Sequence, residues 1–306
     1  MTADPKRPPD LPRGRPRVLS LQSSVAAGHV GNSAAGFTLQ RLGCEVLRID
    51  TVRFSNHPAH GGFTGGPARA EEIDGLMEGL AARGFLAEVD AILSGYLGTA
   101  ENAAAVARAV ERTRKARAAA GLARPIYLLD PVMGDHPHGL FVRADVPEAI
   151  STRLLPLADL VMPNRFELET LTGLPAATLA EALTAARALI AAGNGLSRVI
   201  VTGLEQGARI HVLGLEADTS GGVRAWEVST PRVEAPSYGT GDTFAALFLA
   251  RHLEKPDMAR ALSLAISALH AVLEETARSG ARELALVPAQ DRLAAPPIVF
   301  KSNRLA

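Results

Sequence analysis

Short apolar runs alternate with helical patterns of ten or so residues along almost the whole chain. No other feature constrains the fold as much. "VLSLQSS" (Val18–Ser24), "EVLRIDTV" (Glu45–Val52), "AILSGYLG", "PIYLLDPVMGD", "LVMPN" and "RVIVTG" read as strands. Between them, Gly31–Gly43, Ala68–Gly84, Glu101–Gly121, "RFELETLTG" and Leu179–Gly193 read as helices. Strands spaced by helices form βαβ units, and parallel strands buried on both faces carry unbroken apolar runs. The pattern predicts an α/β fold, with a doubly wound, mostly parallel central sheet flanked by helices. Asn32 is a candidate N-cap of the first helix and Gly43 its stop. "RIHVLGL" and "VRAWEVSTP" read as a further strand pair. Helices follow from Asp242 and over Met258–Gly280, and Arg282–Ala306 reads as irregular.

Composition narrows the function classes. A chain of 306 residues, 47% of them apolar, can bury a large core. Residues 1–16, rich in Pro and Arg, read as a disordered lead-in, leaving 17–306 as one domain. Zero formal net charge argues against a nucleic-acid partner. No apolar segment reaches the length of a membrane span or forms a signal peptide, so a cytoplasmic location is expected. Cys44 is the single cysteine, which excludes a disulfide framework; it reads as a core residue rather than a nucleophile. The lysines are Lys6, Lys115, Lys255 and Lys301, and no G-x-x-x-x-G-K-[ST] loop exists.

In open parallel sheets, ligands bind beyond the C-terminal strand ends. Ser23, Tyr96, Asp130, Asn164 and Thr202 stand there, with Asp135 and Glu167 just beyond. Clustered carboxylates repel unless a cation or protons neutralise them. Asp130 and Glu167 suit magnesium held through water, since this ion keeps several waters and binds phosphate oxygens. "SYGTGDTFAALF" then turns a glycine-rich loop into a helix. Helix N-termini attract anions. Backbone N–H groups from Gly239, Thr240 and Gly241 to Asp242 would stabilise a transferring phosphoryl group, with Asp242 accepting the proton of an incoming hydroxyl. Each piece also has a purely structural reading. Asp242 or Asn164 could be a helix cap, Asp130-Pro131 a turn, and Glu167 a favourable first-turn charge. Tyr96 could be a core aromatic. His57 with His60, and His136 with His138, have metal-like spacing but lack the further ligands of a closed site, and read as solvated loop histidines.

"LQSSVAAGHVGNSAAGFTLQRLG", "TVRFSNH", "LSGYLG", "DPVMGD", "PNRFELETLTG" and "GTGDTFAALFLA" together resemble the pyridoxal kinase family, a branch of the ribokinase superfamily. The resemblance runs from about Arg17 to "LVPAQDRLAAPPIVF". It implies a ribokinase-like domain, a homodimer, and transfer of the ATP γ-phosphate to the 5′-hydroxymethyl of pyridoxal, with pyridoxine and pyridoxamine as further acceptors in B6 salvage. It implies Asp242 as base and Gly239, Thr240 and Gly241 as anion hole. Asp130 and Glu167 would organise Mg2+, with a monovalent cation such as K+ nearby. Asn164 and Thr202 would serve the nucleotide. Ser23 would bond the pyridine nitrogen, His57 and Tyr96 would line the ring pocket, and Val30 would pack on the ring. Asp135–Val142 would form a lid.

Three positions depart from the family pattern. Pro58 stands where a threonine is usual after "FSNH", Ser24 where a histidine is common after "QS", and Phe141 where some relatives carry a hydroxylated aromatic in the lid. All three lie on the acceptor side. Two other readings therefore stand beside pyridoxal kinase: a kinase for another hydroxymethyl heterocycle such as hydroxymethylpyrimidine, and a B6-binding protein without catalysis.

Overall fold

The computed structural model describes residues 14–192, 195–236 and 238–305. Most of the predicted N-terminal lead-in lies outside these residues. Twelve strands are described: β1 (Arg17–Ala27), β2 (Glu45–Asn56), β3 (Gly65–Pro67), β4 (Ala91–Ser94), β5 (Ile126–Leu129), β6 (Gly134–Asp135), β7 (Gly139–Leu140), β8 (Leu160–Val161), β9 (Arg198–Gln206), β10 (Arg209–Ala217), β11 (Val223–Pro231) and β12 (Asn303–Leu305). The α-helices are α1 (Asn32–Arg41), α2 (Ala70–Ala82), α3 (Ala100–Ala119), α4 (Val146–Ala149), α5 (Arg165–Thr172), α6 (Leu179–Ala191), α7 (Thr240–Glu254), α8 (Met258–Ser279) and α9 (Gln290–Ala294).

One sheet orders its strands β12-β11-β10-β9-β8-β5-β4-β1-β2-β3, while β6 and β7 pair apart as a small ribbon. The run from β2 through β1, β4, β5 and β8 to β9 is parallel. The unbroken apolar strands follow from burial on both faces. In β1, Val18 enters one core while Leu19 and Leu21 enter the other; in β5, Leu128 opposes Tyr127 and Leu129 in the same way. The first core receives Met77 of α2, Val106 of α3, Leu168 of α5 and Leu189 of α6. The second receives Leu39 of α1, Phe248 of α7, Leu262 of α8 and Leu293 of α9. Each such side chain contributes about 1.5–3 kcal/mol by leaving water.

The winding reverses at β1. Helix α1 leads to β2 over one face, whereas α3 joins β4 to β5 over the other. A crevice therefore opens beyond the ends of β1 and β4. Every helix that follows a parallel strand starts at that same edge, so the N-termini of α1, α3 and α5 converge there, joined by α7.

Several local expectations change. Asn32 does not cap α1: Gly31 is the N-cap, and the Asn32 side chain instead reaches the carbonyls of Gln22 and Ile49 and the Asp50 carboxylate. Helix α7 starts two residues before Asp242, with Gly239 as its N-cap. The stretch after Arg282 is not wholly irregular, because α9 forms and β12 adds to β11 with Ala225 opposite Leu305. "RIHVLGL" and "VRAWEVSTP" do form an antiparallel pair. Cys44 is buried, and desolvation pushes its thiol up to about 11, which fits an inert core residue. Among the described residues, no helix is long and apolar enough to cross a membrane.

Candidate active site

Helix α7 begins in a turn that only glycine can form. Gly239 has φ 80°, and a Cβ there would run into the carbonyl oxygen of His29. The β1–α1 loop thus lies directly on the turn that opens α7. Asp242 stands in the first turn, half-buried, and its carboxylate accepts from the N–H groups of Gly31 and of Asp242 itself. Burial outweighs these bonds and raises its pKa above the ordinary carboxyl value. A carboxyl group raised in this way at the positive end of a helix is suited to proton transfer.

Asp130 lies across the turn. A Cβ on Gly241 would come within 3.9 Å of its Oδ2. Asp130 is only 7% exposed, and its pKa is raised by burial first, then by the charges of Glu167 and Asp242. Glu167 is also buried, and burial lifts it to about 8 even though backbone N–H groups of Asn164, Met133 and Gly134 hold it down. Its oxygens accept from Asn164 N–H at 2.8 Å and Met133 N–H at 3.1 Å. Three carboxyl groups thus face one another, and none of them forms a salt bridge with a basic side chain among the described residues. Such a set favours a hard cation. No group of three ligating side chains close enough to cage a metal occurs among the described residues. With both Glu167 oxygens already accepting backbone N–H bonds, an ion here would rely on water and phosphate oxygens. That suits magnesium.

Asn164 caps α5 in a reciprocal capping box with Glu167. Its Nδ2 donates to Gly134 O at 2.8 Å, tying the cap to the β6–β7 ribbon. Thr202 forms a parallel bridge with Asn164 and donates its N–H to Pro163 O at 3.0 Å. Asn164 and Thr202 therefore sit together on the far side of Asp130. The ribbon occupies the expected lid segment, held by His136 to Glu169 at 2.6 Å, and leaves Phe141 half exposed beside it.

The remaining predicted residues gather on the near side. Ser23 is buried under Gly31, where a Cβ would lie 2.5 Å from its Oγ. Val30 approaches Gly239, with Cγ1 3.4 Å from a Cβ built there. Tyr96 is held by Thr51, whose Oγ1 donates to its carbonyl at 2.6 Å, and desolvation raises the pKa of its phenol. His57 stacks on Tyr238 with centroids 4.2 Å apart and planes 28° apart. Burial lowers the His57 pKa below the ordinary imidazole value. His57 and His60 are thus partnered side chains and not solvated ones. Pro58 occupies the first turn of a short 3-10 helix (Pro58–His60), where the missing N–H is no loss. Ser24 turns toward α1, with Oγ 3.2 Å from Ser33 Oγ.

Tyr238 was legible only as the aromatic before the glycine turn, and its partner could not be read. Glu283 carries no sequence signal at all. Its Oε2 accepts from His29 N–H at 3.1 Å and its Oε1 meets His60 Nε2 at 2.5 Å.

Comparison with known proteins bears on this arrangement. A family model described as phosphomethylpyrimidine kinase matches residues 82–286. The pyridoxal kinase PdxY of Rubrobacter xylanophilus is 44% identical over 292 residues, covering 94% of this chain and 97% of the relative. That of Deinococcus radiodurans is 44% identical over 301 residues, covering 97% and 98%. The solved pyridoxal kinase from Leishmania donovani in complex with ADP and pyridoxamine superposes with a TM-score of 0.88 at 33% identity, covering 95% of this chain and 99% of that one.

Proposed function

The chain belongs to the pyridoxal kinase family, and from that premise we propose how its own residues carry out the ATP-dependent phosphorylation of pyridoxal. The observation that carries the assignment is the facing of Asp242 and Asp130 across Gly241 at the start of α7. The γ-phosphoryl group of ATP would meet the first-turn N–H groups of Gly239, Thr240, Gly241 and Asp242, whose dipoles favour the charge that builds during transfer. Asp242 orients the 5′-hydroxymethyl group of pyridoxal and takes its proton. The new O–P bond forms as the bond to the ADP oxygen breaks, giving pyridoxal 5′-phosphate and ADP.

Asp130 and Glu167 would hold Mg2+ through water, where the ion would neutralise phosphate charge. Their mutual repulsion supports this assignment. A monovalent cation such as K+ belongs to the same reading. Asn164 and Thr202 serve the nucleotide, which fits their shared place beyond Asp130. Ser23, Val30, His57 and Tyr96 form the ring pocket, extended by Tyr238. Ser23 Oγ hydrogen-bonds the pyridine nitrogen. The ribbon over Asp135–Val142 acts as the lid that limits hydrolysis of ATP. We also take the chain to act in the cytoplasm as a homodimer, which sedimentation velocity tests.

The deciding experiment is an ATP-dependent assay with magnesium and potassium that compares pyridoxal, pyridoxine, pyridoxamine and hydroxymethylpyrimidine, with the phosphorylated product read directly. Efficient turnover of pyridoxal is expected. Preference for the pyrimidine would keep the phosphate chemistry and overturn the ring pocket.

A further inference from the structure

Two loops form the walls of the acceptor side, and one distant carboxylate joins them. The first is the β1–α1 loop, Gly28–Gly31, which covers Ser23 and lies on Gly239. The second is the turn His57–His60, which brings the His57 ring onto Tyr238. Glu283 touches both. Its carboxylate accepts His29 N–H at 3.1 Å and the Nε2–H of His60 at 2.5 Å. Gly28 leaves the space it fills, since a Cβ there would lie 2.7 Å from Oε1.

The arm that carries Glu283 is anchored in the core. Leu284, Ala285 and Leu286 behind it are buried, and Ala285 N–H donates to Thr276 Oγ1 of α8 at 2.9 Å. Both loops therefore hang from a fixed point in the core. His60 N–H donates to His57 O at 3.1 Å, so holding the His60 ring also holds the residue that stacks on Tyr238. Through His29 and through His60, both chains of contact end at Tyr238–Gly239, the turn that opens α7.

The geometry points to Glu283 as a positioning residue that sets the width of the ring pocket and its alignment with Asp242. This rests on the assignment of Ser23 and His57 to that pocket. Among the described residues Glu283 hydrogen-bonds to His29 and His60 and not to Asn164 or Thr202, so its role is confined to the acceptor. A charge-assisted hydrogen bond of this kind corresponds to about a tenfold effect or more when lost.

The test compares kcat and both KM values for E283A, E283Q, H60A, the double variant E283A/H60A, and S23A. E283A is expected to raise the pyridoxal KM about tenfold with the ATP KM within about twofold of wild type. E283Q, whose amide can accept from His29 N–H and donate to His60, recovers most of the loss. The double variant is no worse than E283A alone, because both changes break one linkage. Equal shifts in the two KM values, or none in E283A, overturn the inference. S23A separates the two levels. A raised pyridoxal KM in S23A with an unchanged one in E283A rejects only the role of Glu283, whereas no change in S23A rejects the pocket assignment and this inference with it. Should E283A fail to fold, E283D carries the test, being one methylene too short to reach both loops.

Discussion

The imidazole of His57 lies against the phenol of Tyr238, with ring centroids 4.2 Å apart and planes 28° apart. The two residues come from opposite halves of the sequence. Their contact joins the His57–His60 turn, proposed to wall the acceptor pocket, to the turn that opens α7, because Tyr238 directly precedes Gly239. An aromatic pair of this kind is worth about 0.5–1.5 kcal/mol beyond its area. Tyr238→Ala is therefore expected to raise the pyridoxal KM by about threefold to tenfold, while Tyr238→Phe stays near wild type. Steady-state kinetics at saturating ATP measure both.

Under the proposed mechanism, Asp242→Asn removes the base but leaves the helix start intact. We expect kcat to fall by about 10²–10⁴-fold with ATP binding retained, as read by titration calorimetry. Burial raises the Asp242 pKa, so the folded protein bears a cost for ionising it at alkaline pH. The Asn variant should therefore melt at or above the wild-type temperature at pH 8. A large loss of stability would make Asp242 a structural residue.

Glu167 gives a pH signature. Its pKa rises from 4.5 to about 8 on folding, so the folded state binds the proton more tightly than the unfolded chain. Without magnesium, that stabilising contribution is complete below pH 4.5 and is lost as pH rises through about 8. A bound cation favours the ionised form, so the rise in melting temperature caused by Mg2+ should grow as pH increases across this window. Glu167→Gln keeps an acceptor for the capping box and should flatten the dependence. Differential scanning calorimetry with and without Mg2+ decides it.

Gly239→Ala should be among the most damaging single substitutions. The residue sits at φ 80°, and the added Cβ meets the His29 carbonyl, which is backbone and cannot swing aside. A loss of about 1–3 kcal/mol of stability is expected from the backbone alone. Activity should fall further, because the N–H groups at the start of α7 would shift. Urea unfolding and kcat, measured on the same preparation, check both parts.

Asn164→Ala removes an N-cap and the bond to Gly134 O in one step. About 1 kcal/mol of stability should be lost. The ATP KM should rise while the pyridoxal KM holds, the reverse of the Tyr238 result.

The α/β order was legible because the core strands are buried on both faces, so "PIYLLD" and "RVIVTG" show apolar runs that need no partner to be recognised. The capping box at Asn164 and Glu167 was legible in outline because its two members lie three residues apart. Longer connections left no such trace. Asn32 looked like a helix cap by its position, yet its amide satisfies carbonyls of two strands that only folding brings beside it. The segment after Arg282 looked irregular because β12 is three residues long and gains its hydrogen bonds from β11.

By itself the sequence determined the parallel sheet, the edge proposed for ligand binding, and the run Gly239–Asp242 that makes phosphoryl transfer chemically plausible. Each of these depends on residue type and spacing within one element or one turn. Tertiary structure alone decided that Asp242 ends opposite Asp130, that His57 rests on Tyr238, and that Glu283 holds His29 across 254 positions of chain. Those relationships arise when right-handed crossovers carry successive strand ends to one rim. Side chains far apart in sequence then meet there, and the desolvation that raises the pKa values of Asp130 and Asp242 exists only once the rim has closed.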